Sequence, residues 1–153
     1  MSTKIIRARE GSLVEINSLI ARSKSLWNWP REYLEHALPL HEIKPSYVQN
    51  NHCFEILNEQ NELVAFFSVE ASPERVWLDN LWVTPDLIGT GLGRQACEYV
   101  LRLAREQGWQ HLWVLPDPPA AGFYLKLGFS DTGERVPSRV PGGPLFSVLH
   151  IQL

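Results

Sequence analysis

The stretch from Val76 to Gln107 constrains the fold more than any other part of the chain, because it reads as strand, glycine turn and helix in immediate succession. β-Forming residues run from Val76 to Thr84 and stop at Pro85. Three alternate glycines follow: Gly89, Gly91 and Gly93. The next apolar residues recur at helical spacing. They are Leu92, Ala96, Val100, Leu103 and Ala104.

The glycine turn has the chemistry of an anion site. Glycines carry no Cβ atom to keep a ligand away from the backbone N–H groups at the start of the helix. Those unpaired donors and the positive end of the helix dipole suit a phosphate or a pyrophosphate. The alternative is a tight turn without a ligand, and three glycines at alternate positions favour the ligand.

Two familiar phosphate-binding classes do not fit this turn. No Gly-Lys-Ser/Thr follows it, which excludes the triphosphate-binding P-loop. The spacing is Gly-x-Gly-x-Gly rather than Gly-x-Gly-x-x-Gly, and it lies past the middle of the chain. Both facts argue against a dinucleotide fold, although Asp117 stands at a suitable distance downstream.

Two blocks of sequence resemble one family. Leu81-x-Val83-x-Pro85 followed by Ile88-Gly89-x-Gly91-x-Gly93 resembles the coenzyme A motif of the GNAT superfamily of acyl-CoA-dependent N-acetyltransferases. A second block, Asp117-x-x-Ala120-x-x-x-Tyr124-x-Lys126-x-Gly128-Phe129, resembles the later motif of that superfamily, at the expected distance.

The resemblance implies acetyl-CoA as cofactor and a set of residues that contact it. These are Leu81, Trp82, Val83, Ile88, Gly89, Thr90, Gly91, Leu92, Gly93, Arg94, Asp117 and Tyr124. The chain departs from the family pattern twice. Ile88 stands where Arg or Gln is usual, which removes a side chain but leaves the backbone donors. Asp117 stands where Asn is usual, and its alternative role is the cap of the following helix.

Length and composition fit one domain over residues 1–153. The 153 residues are 44% apolar and include six Trp and six Phe, enough for a sizeable core. The resemblance implies an α/β fold: a mixed, mostly antiparallel sheet of six or seven strands with helices on both faces. A central parallel pair of strands is expected to diverge and admit the pantetheine arm.

Charge and cysteine content restrict the partners. The net charge is −3 with no basic run, which argues against nucleic acid. Cys53 and Cys97 are widely spaced and the five His are scattered, so we expect reduced thiols, a cytoplasmic location and no metal. No stretch has the length of a signal or a membrane span. The expected partner is a small-molecule amine, and assembly into a homodimer is left open.

Asp79 and Glu70 are the candidate bases. Strand alternation predicts Trp77, Asp79, Leu81 and Val83 on one face and Leu78, Asn80, Trp82 and Thr84 on the other. A carboxylate inside an apolar strand is costly to bury without a partner or a task. The resemblance implies that an acid at the position of Asp79 lies near the acceptor amine. The alternatives are a structural, hydrogen-bonded Asp79 near a strand bulge and a Glu70 simply exposed at a strand end.

Tyr124 is the candidate general acid and an aromatic segment is the candidate acceptor wall. By resemblance, Tyr124 protonates the departing thiolate and the N–H near Val83 stabilises the oxyanion; the alternative for Tyr124 is a core tyrosine. Trp27, Trp29 and Tyr33 follow the first predicted helix, where the family commonly builds one wall of the acceptor site. Their alternative is to cap the core.

These observations predict an N-acetyltransferase. It would move the acetyl group of acetyl-CoA to a primary amine, of a small molecule or an amino-acid derivative, by direct attack in a ternary complex. A protein N-terminus or lysine as acceptor stays open. The competing hypothesis from another class is a non-catalytic module that binds acyl-CoA as a sensor or interaction domain, and a nicotinamide-binding module comes third.

Overall fold

The computed structural model describes residues 2–153, which form seven strands and five α-helices. The strands are β1 (Lys4–Arg7), β2 (His52–Leu57), β3 (Leu63–Ala71), β4 (Val76–Val83), β5 (His111–Val114), β6 (Ser130–Pro137) and β7 (Leu145–Gln152). The helices are α1 (Leu13–Lys24), α2 (Arg31–Ala37), α3 (Pro45–Asn50), α4 (Leu92–Gln107) and α5 (Ala121–Lys126). Short 3-10 turns include Leu38–His41 after α2 and Pro118–Ala120 before α5.

The strands form one sheet in the order β1-β2-β3-β4-β5-β7-β6. Every neighbouring pair is antiparallel except β4 and β5, which run parallel at the centre. The expected mixed, mostly antiparallel sheet is therefore confirmed, with seven strands.

Helices cover both faces of this sheet. On one face, Ile16 and Ile20 of α1 are buried against Phe66 of β3, with α3 residues packed beside them. On the other face, α4 contributes Ala96 and Val100 to the larger core, together with residues of α5. The amphipathic pattern of α4 explains this placement, because its apolar stripe must face the sheet. The prediction of helices on both faces is confirmed.

A β-bulge at Asp79 changes which residues of β4 share a face. Asn80 lies opposite Ser68, yet Leu78 lies opposite Val69, so Asp79 is an extra residue without a counterpart on β3. The uniform alternation predicted for β4 is wrong: Leu78 packs in the α4-side core with Leu81 and Val83. Asp79 is exposed rather than enclosed in an apolar strand.

The parallel strands β4 and β5 pair over a short length and then separate. Trp77 lies opposite Trp113 and Leu78 opposite Val114, and the pairing ends there. β5 stops at Val114, whereas β4 continues to Val83. The second half of β4 therefore has an open edge, as expected for a divergent central pair.

Three further properties concern residues 2–153. No helix in this range is long and apolar enough to cross a bilayer. Nor does it hold a cluster of three or more His, Cys, Asp or Glu side chains placed to bind a metal ion. Cys53 and Cys97 are buried free thiols, and burial raises the pKa of each to about 12.

Candidate active site

A cleft of about 380 Å³ occupies the gap between the separated strands. Its walls come from Leu78–Val83 of β4, from Val114–Asp117 at the end of β5, from the glycine loop and from α5. On the opposite face of the sheet from α4, Ser23 and Trp27 close it. Most residues that the two motifs single out therefore face one cavity.

The three motif glycines serve two different needs. Gly89 and Gly91 have φ of 84° and 99°, in the left-handed region that other residues enter at a cost. A Cβ atom on either would meet open space. Gly93 has an ordinary φ, but a Cβ there would lie 3.0 Å from the ring of Phe123. The first two shape the loop, and the third lets Phe123 pack on the start of α4.

The glycine loop presents a row of free donors. Within residues 2–153, no acceptor bonds the N–H groups of the loop and first turn of α4 at five positions. These are Gly89, Gly91, Leu92, Gly93 and Arg94. They stand at the positive end of a 16-residue helix, which attracts an anion. The arrangement fits the pyrophosphate of coenzyme A.

The other side chains of this loop differ in what they can reach. Ile88 is 44% exposed and lines the cleft. Arg94 also lines the cleft and pairs with Glu98 at 3.4 Å. Leu92 is buried in the core, so its N–H alone faces outward. The Thr90 hydroxyl donates to the carbonyl of Leu87 at 2.5 Å.

The open edge of β4 presents backbone groups to the cleft. The Thr84 N–H donates to the Val64 carbonyl on the β3 side, at 2.9 Å. Because N–H directions alternate along an antiparallel strand, the N–H groups of Leu81 and Val83 point the other way, into the gap. This is the position from which an N–H near Val83 could bond a carbonyl oxygen.

Tyr124 reaches the cleft from α5. It is 5% exposed, it lines the cleft, and no group among residues 2–153 hydrogen-bonds its hydroxyl. Burial, followed by the negative charges that Cys97 and Asp117 would carry, raises the Tyr124 pKa well above its ordinary 10. The phenol therefore stays protonated across the physiological range.

Asp79 lines the cleft at the end of a hydrogen-bond network. The Tyr47 hydroxyl on α3 donates to Asp79 Oδ2 at 2.5 Å. Ser68 Oγ lies 2.9 Å from the Tyr47 oxygen and, since the phenol proton is used, donates to it. Asn80 Nδ2 donates to both hydroxyl oxygens, at 3.3 and 3.0 Å, and Trp82 Nε1 donates to Asn80 Oδ1 at 2.9 Å.

Sequence reasoning missed Tyr47 and Ser68. Burial and then the adjacent Asp79 carboxylate raise the Tyr47 pKa, so this phenol also remains a donor. Nothing local in the sequence marks either residue, because α3 and β3 meet β4 only through the fold. The predicted bulge alternative for Asp79 did describe its backbone correctly, and the carboxylate also faces the cleft.

Asp117 is held by a buried lysine. Lys24 Nζ donates to Asp117 Oδ1 at 2.7 Å, and the Lys24 side chain is 0% exposed. Asp117 occupies the predicted N-cap position, with prolines in the first turn, but its side chain makes no capping bond. Asp117 still lines the cleft beside the second motif. The carboxylate that stands in place of the usual Asn thus pairs with a cation 93 positions earlier in the chain.

The three aromatic candidates separate. Trp27 lines the cleft. Trp29 and Tyr33 instead stack on each other at 4.7 Å, with Lys24 Nζ 4.4 Å from the centre of the Trp29 ring. Tyr33 is buried with Ala37 and Val140, the packing role held as its alternative. Trp29 Nε1 is buried with no partner within residues 2–153.

His41 is a further cleft residue that sequence reasoning missed. Its ring meets Trp82 edge-on at 5.3 Å, and it lines the cleft. Burial is the main cause that lowers the His41 pKa from 6.5 to about 4. The positive charges of Lys24 and Arg139 also lower it, and the negative charge of Asp117 partly offsets them. The imidazole is therefore neutral at pH 7.

Glu70 lies apart from these groups. It is exposed near the end of β3, opposite Trp77, and it does not line the cleft. The structure thus brings Asp79 and Tyr124 to one cavity but not Glu70.

Known proteins share this fold. Among the solved structures that match nearly all of the chain are the following three. A GCN5-related N-acetyltransferase from Rhodopseudomonas palustris is 17% identical over 100% of this chain and 97% of its own, with a TM-score of 0.87. The PaiA N-acetyltransferase from Thermoplasma acidophilum, in complex with coenzyme A, is 13% identical over 100% of both chains, with a TM-score of 0.82. Apo YjaB from Escherichia coli is 26% identical over 99% and 97%, with a TM-score of 0.72.

Sequence comparison assigns the family. Among curated protein sequences, none matches the chain. The model of the acetyltransferase (GNAT) family matches residues 14–129, which include both motifs and the whole cleft edge of β4. This chain belongs to the GNAT family of acetyltransferases, whose cosubstrate is acetyl-CoA.

Proposed function

We propose that this protein transfers the acetyl group of acetyl-CoA to a primary amine of a small molecule, by direct attack while both substrates are bound. The observation that carries the proposal is one continuous cleft. It is lined by the free N–H groups of the glycine loop, by the unbonded hydroxyl of Tyr124 and by the Asp79 carboxylate. These are an anion site, a proton donor and a cation anchor.

The donor side of the cleft holds acetyl-CoA and polarises its thioester, which supplies the activated acetyl group. The free N–H groups from Gly89 to Arg94 bind the pyrophosphate. The outward N–H of Val83 bonds the thioester carbonyl, where negative charge develops during attack. A pre-aimed donor of this kind contributes about 3 kcal/mol to the transition state. Asp117 borders this site, with Lys24 holding its carboxylate.

Asp79 prepares the acceptor. A primary ammonium has a pKa of about 10.4, so it must lose a proton before its nitrogen can attack. The Asp79 carboxylate attracts the ammonium and accepts that proton through a water molecule. Its Oδ2 is fixed by Tyr47, which leaves Oδ1 for the amine. Glu70 remains the second candidate, though its place outside the cleft favours Asp79.

Tyr124 assists the leaving group. As the carbon–sulfur bond breaks, the departing sulfur carries negative charge, and the Tyr124 hydroxyl donates a hydrogen bond and then its proton to it. The raised pKa keeps this donor loaded at any physiological pH. The amine nitrogen becomes positively charged on attack and loses its second proton to water as the tetrahedral adduct collapses, and solvent returns a proton to the phenolate. Holding both substrates in one cleft supplies much of the remaining acceleration.

Thiol release tests the proposal. Purified protein is mixed with acetyl-CoA and a panel of small amines, and free coenzyme A is measured with a thiol reagent. Amine-dependent release supports the transferase. Tight binding of coenzyme A by calorimetry, with no amine in the panel causing release, would favour the non-catalytic acyl-CoA sensor. Binding of a nicotinamide dinucleotide without coenzyme A would reject both.

A further inference from the structure

The acceptor side of the cleft is defined by residues from the α1 face of the sheet. The glycine loop leads into α4 on one face, whereas Ser23 belongs to α1 on the other, and Trp82 packs in the α1-side cluster. Trp27 and His41 complete this side, with Asp79 at the bulge between. An acceptor that enters from this side can reach Asp79, which also lines the cleft.

One charge on this side lacks a basic partner. Asp117 is paired with Lys24, whose 0% exposed side chain cannot meet a ligand. His41 is neutral at pH 7 because its pKa is about 4. Asp79 accepts a hydrogen bond from Tyr47, but within residues 2–153 no basic group lies within 4.0 Å of its carboxylate. The acceptor side therefore offers one uncompensated negative charge.

No cation that lines this side is free to hold a carboxylate. Arg22 does not line the cleft, and its Nη1 donates to Thr84 Oγ1 at 3.2 Å. Arg94 lines the cleft from the glycine loop, on the donor side, and pairs with Glu98. Arg139, on the exposed loop between β6 and β7, does not line the cleft, although its charge reaches His41. A carboxylate carried by the acceptor would be repelled by the uncompensated charge of Asp79, whereas the charge of Asp117 is balanced by Lys24.

The wall around this charge is aromatic. Trp27 and Trp82 line it, and the His41 ring stands edge-on to Trp82. The Trp82 indole N–H is already used by Asn80 Oδ1, so Trp82 offers the acceptor only apolar surface. Such rings favour a flat apolar body, and an ammonium can also lie against their faces.

We propose that the acceptor is a primary amine with one positive charge and a flat or aromatic apolar body, and that it carries no carboxylate and no second cation. Asp79 binds the ammonium, and Trp27, Trp82 and His41 enclose the body. This rests on the proposed acetyl transfer and narrows it: free amino acids and polyamines are poor acceptors, and an aryl-alkyl monoamine is a good one.

Matched ligands test this selection. 2-Phenylethylamine and phenylalanine differ by one carboxylate, and 1,4-diaminobutane replaces the ring with a second cation. We expect kcat/KM for 2-phenylethylamine to exceed both others by about tenfold or more. Tryptophan fluorescence, read with coenzyme A bound, measures the affinity of the same ligands without turnover. The affinities should follow the same order, because Trp27 and Trp82 line the site.

The outcomes separate the two proposals. Thiol release with any amine supports acetyl transfer whatever the order of the ligands. A preference for phenylalanine or the diamine overturns the proposed acceptor class, as does a failure of 2-phenylethylamine both to bind and to react. A preference for phenylalanine that Arg139→Ala abolishes would identify Arg139 as the missed carboxylate receptor.

Asp79→Asn should weaken 2-phenylethylamine binding about tenfold and leave coenzyme A binding unchanged. The exposed Asp131→Asn on β6 should change neither.

Discussion

The ammonium of Lys24 lies 2.7 Å from the carboxylate of Asp117 and is fully buried. The pair joins the last residue of α1 to the turn that follows β5, across 93 positions of sequence. It also lies against the ring of Trp29. The departure from the asparagine of the family motif is thus compensated by a partner elsewhere in the chain.

Asp117→Asn should therefore destabilise the fold, although it restores the usual motif residue. It leaves a buried ammonium without its counter-charge, and breaking a buried pair from one side costs about 3–5 kcal/mol. Urea unfolding at pH 7 measures the loss. The double variant Lys24→Met with Asp117→Asn should recover most of it, and Glu35→Gln, in an exposed pair with Arg31, should have little effect. A single variant as stable as the wild type would contradict this account.

The parts of the site that the sequence predicts are those formed by residues close together along the chain. The glycine loop and Tyr124 line one cleft, and each belongs to a motif of fixed spacing within one turn or helix. The expected sheet with helices on both faces followed from the same resemblance. Local spacing suffices where the function depends on backbone geometry and on neighbouring residues.

Long-range contacts explain what was not predictable. The bulge at Asp79, expected from the sequence only as an alternative, is fixed by the register of β4 against β3, which no residue of β4 alone reveals. Tyr47 precedes Asp79 by 32 positions in the sequence, and the two residues meet only because α3 packs against the sheet beside β4. The sequence predicts Trp29 and Tyr33 as acceptor contacts, but in the structure both rings pack against the buried ammonium of Lys24.

Gly91→Ala should weaken coenzyme A binding. Gly91 has φ of 99°, and an L residue held there costs about 1–2 kcal/mol, enough to shift the loop and its free N–H groups. Titration calorimetry should show a loss of affinity of about tenfold. Gly11→Ala is the matched control, since Gly11 has an ordinary φ and open space around a new Cβ. Equal affinities for the two variants would exclude a role for the loop conformation.

Tyr124→Phe should slow acetyl transfer without loss of coenzyme A. Removal of the hydroxyl takes away the proposed donor to the leaving sulfur, and we expect kcat to fall about 100-fold. Because the Tyr124 pKa is raised, the wild-type rate should show no loss from this group as pH rises to 10. Tyr99→Phe, in the core against Phe54 and Phe67, is the control and should retain activity. A similar kcat for both variants would remove Tyr124 from the mechanism.

His41 should make the fold less stable in mild acid. Its pKa is about 4 in the fold, below the ordinary 6.5, so the unfolded chain binds a proton more readily. The contribution of neutral His41 to the free energy of unfolding is intact above pH 6.5. It is lost as pH falls toward 4, by at most about 1.4 kcal/mol per pH unit. Urea unfolding should show that the free energy of unfolding changes less between pH 7 and pH 5 in His41→Gln than in the wild type. The control His36→Gln, at an exposed position, should show the same change as the wild type. If His41→Gln also shows the wild-type change, this assignment is refuted.

Tyr47→Phe should weaken the acceptor site selectively. The phenol is the donor that fixes Asp79 Oδ2, and a hydrogen bond to a charged acceptor contributes about 1.5–3 kcal/mol. Without it the carboxylate can rotate away from the cleft. The KM for the amine should rise about tenfold, and the KM for acetyl-CoA should not change.

Ser68→Ala separates positioning of Asp79 from general support of the network. Ser68 bonds the same phenol oxygen at 2.9 Å but does not touch Asp79, and Asn80 can still donate to Tyr47 when Ser68 is gone. If Tyr47 acts through Asp79, the serine variant keeps the amine KM of the wild type, whereas Tyr47→Phe raises it. If both variants raise the amine KM equally, the Tyr47 hydroxyl merely stabilises the junction of α3 with the sheet.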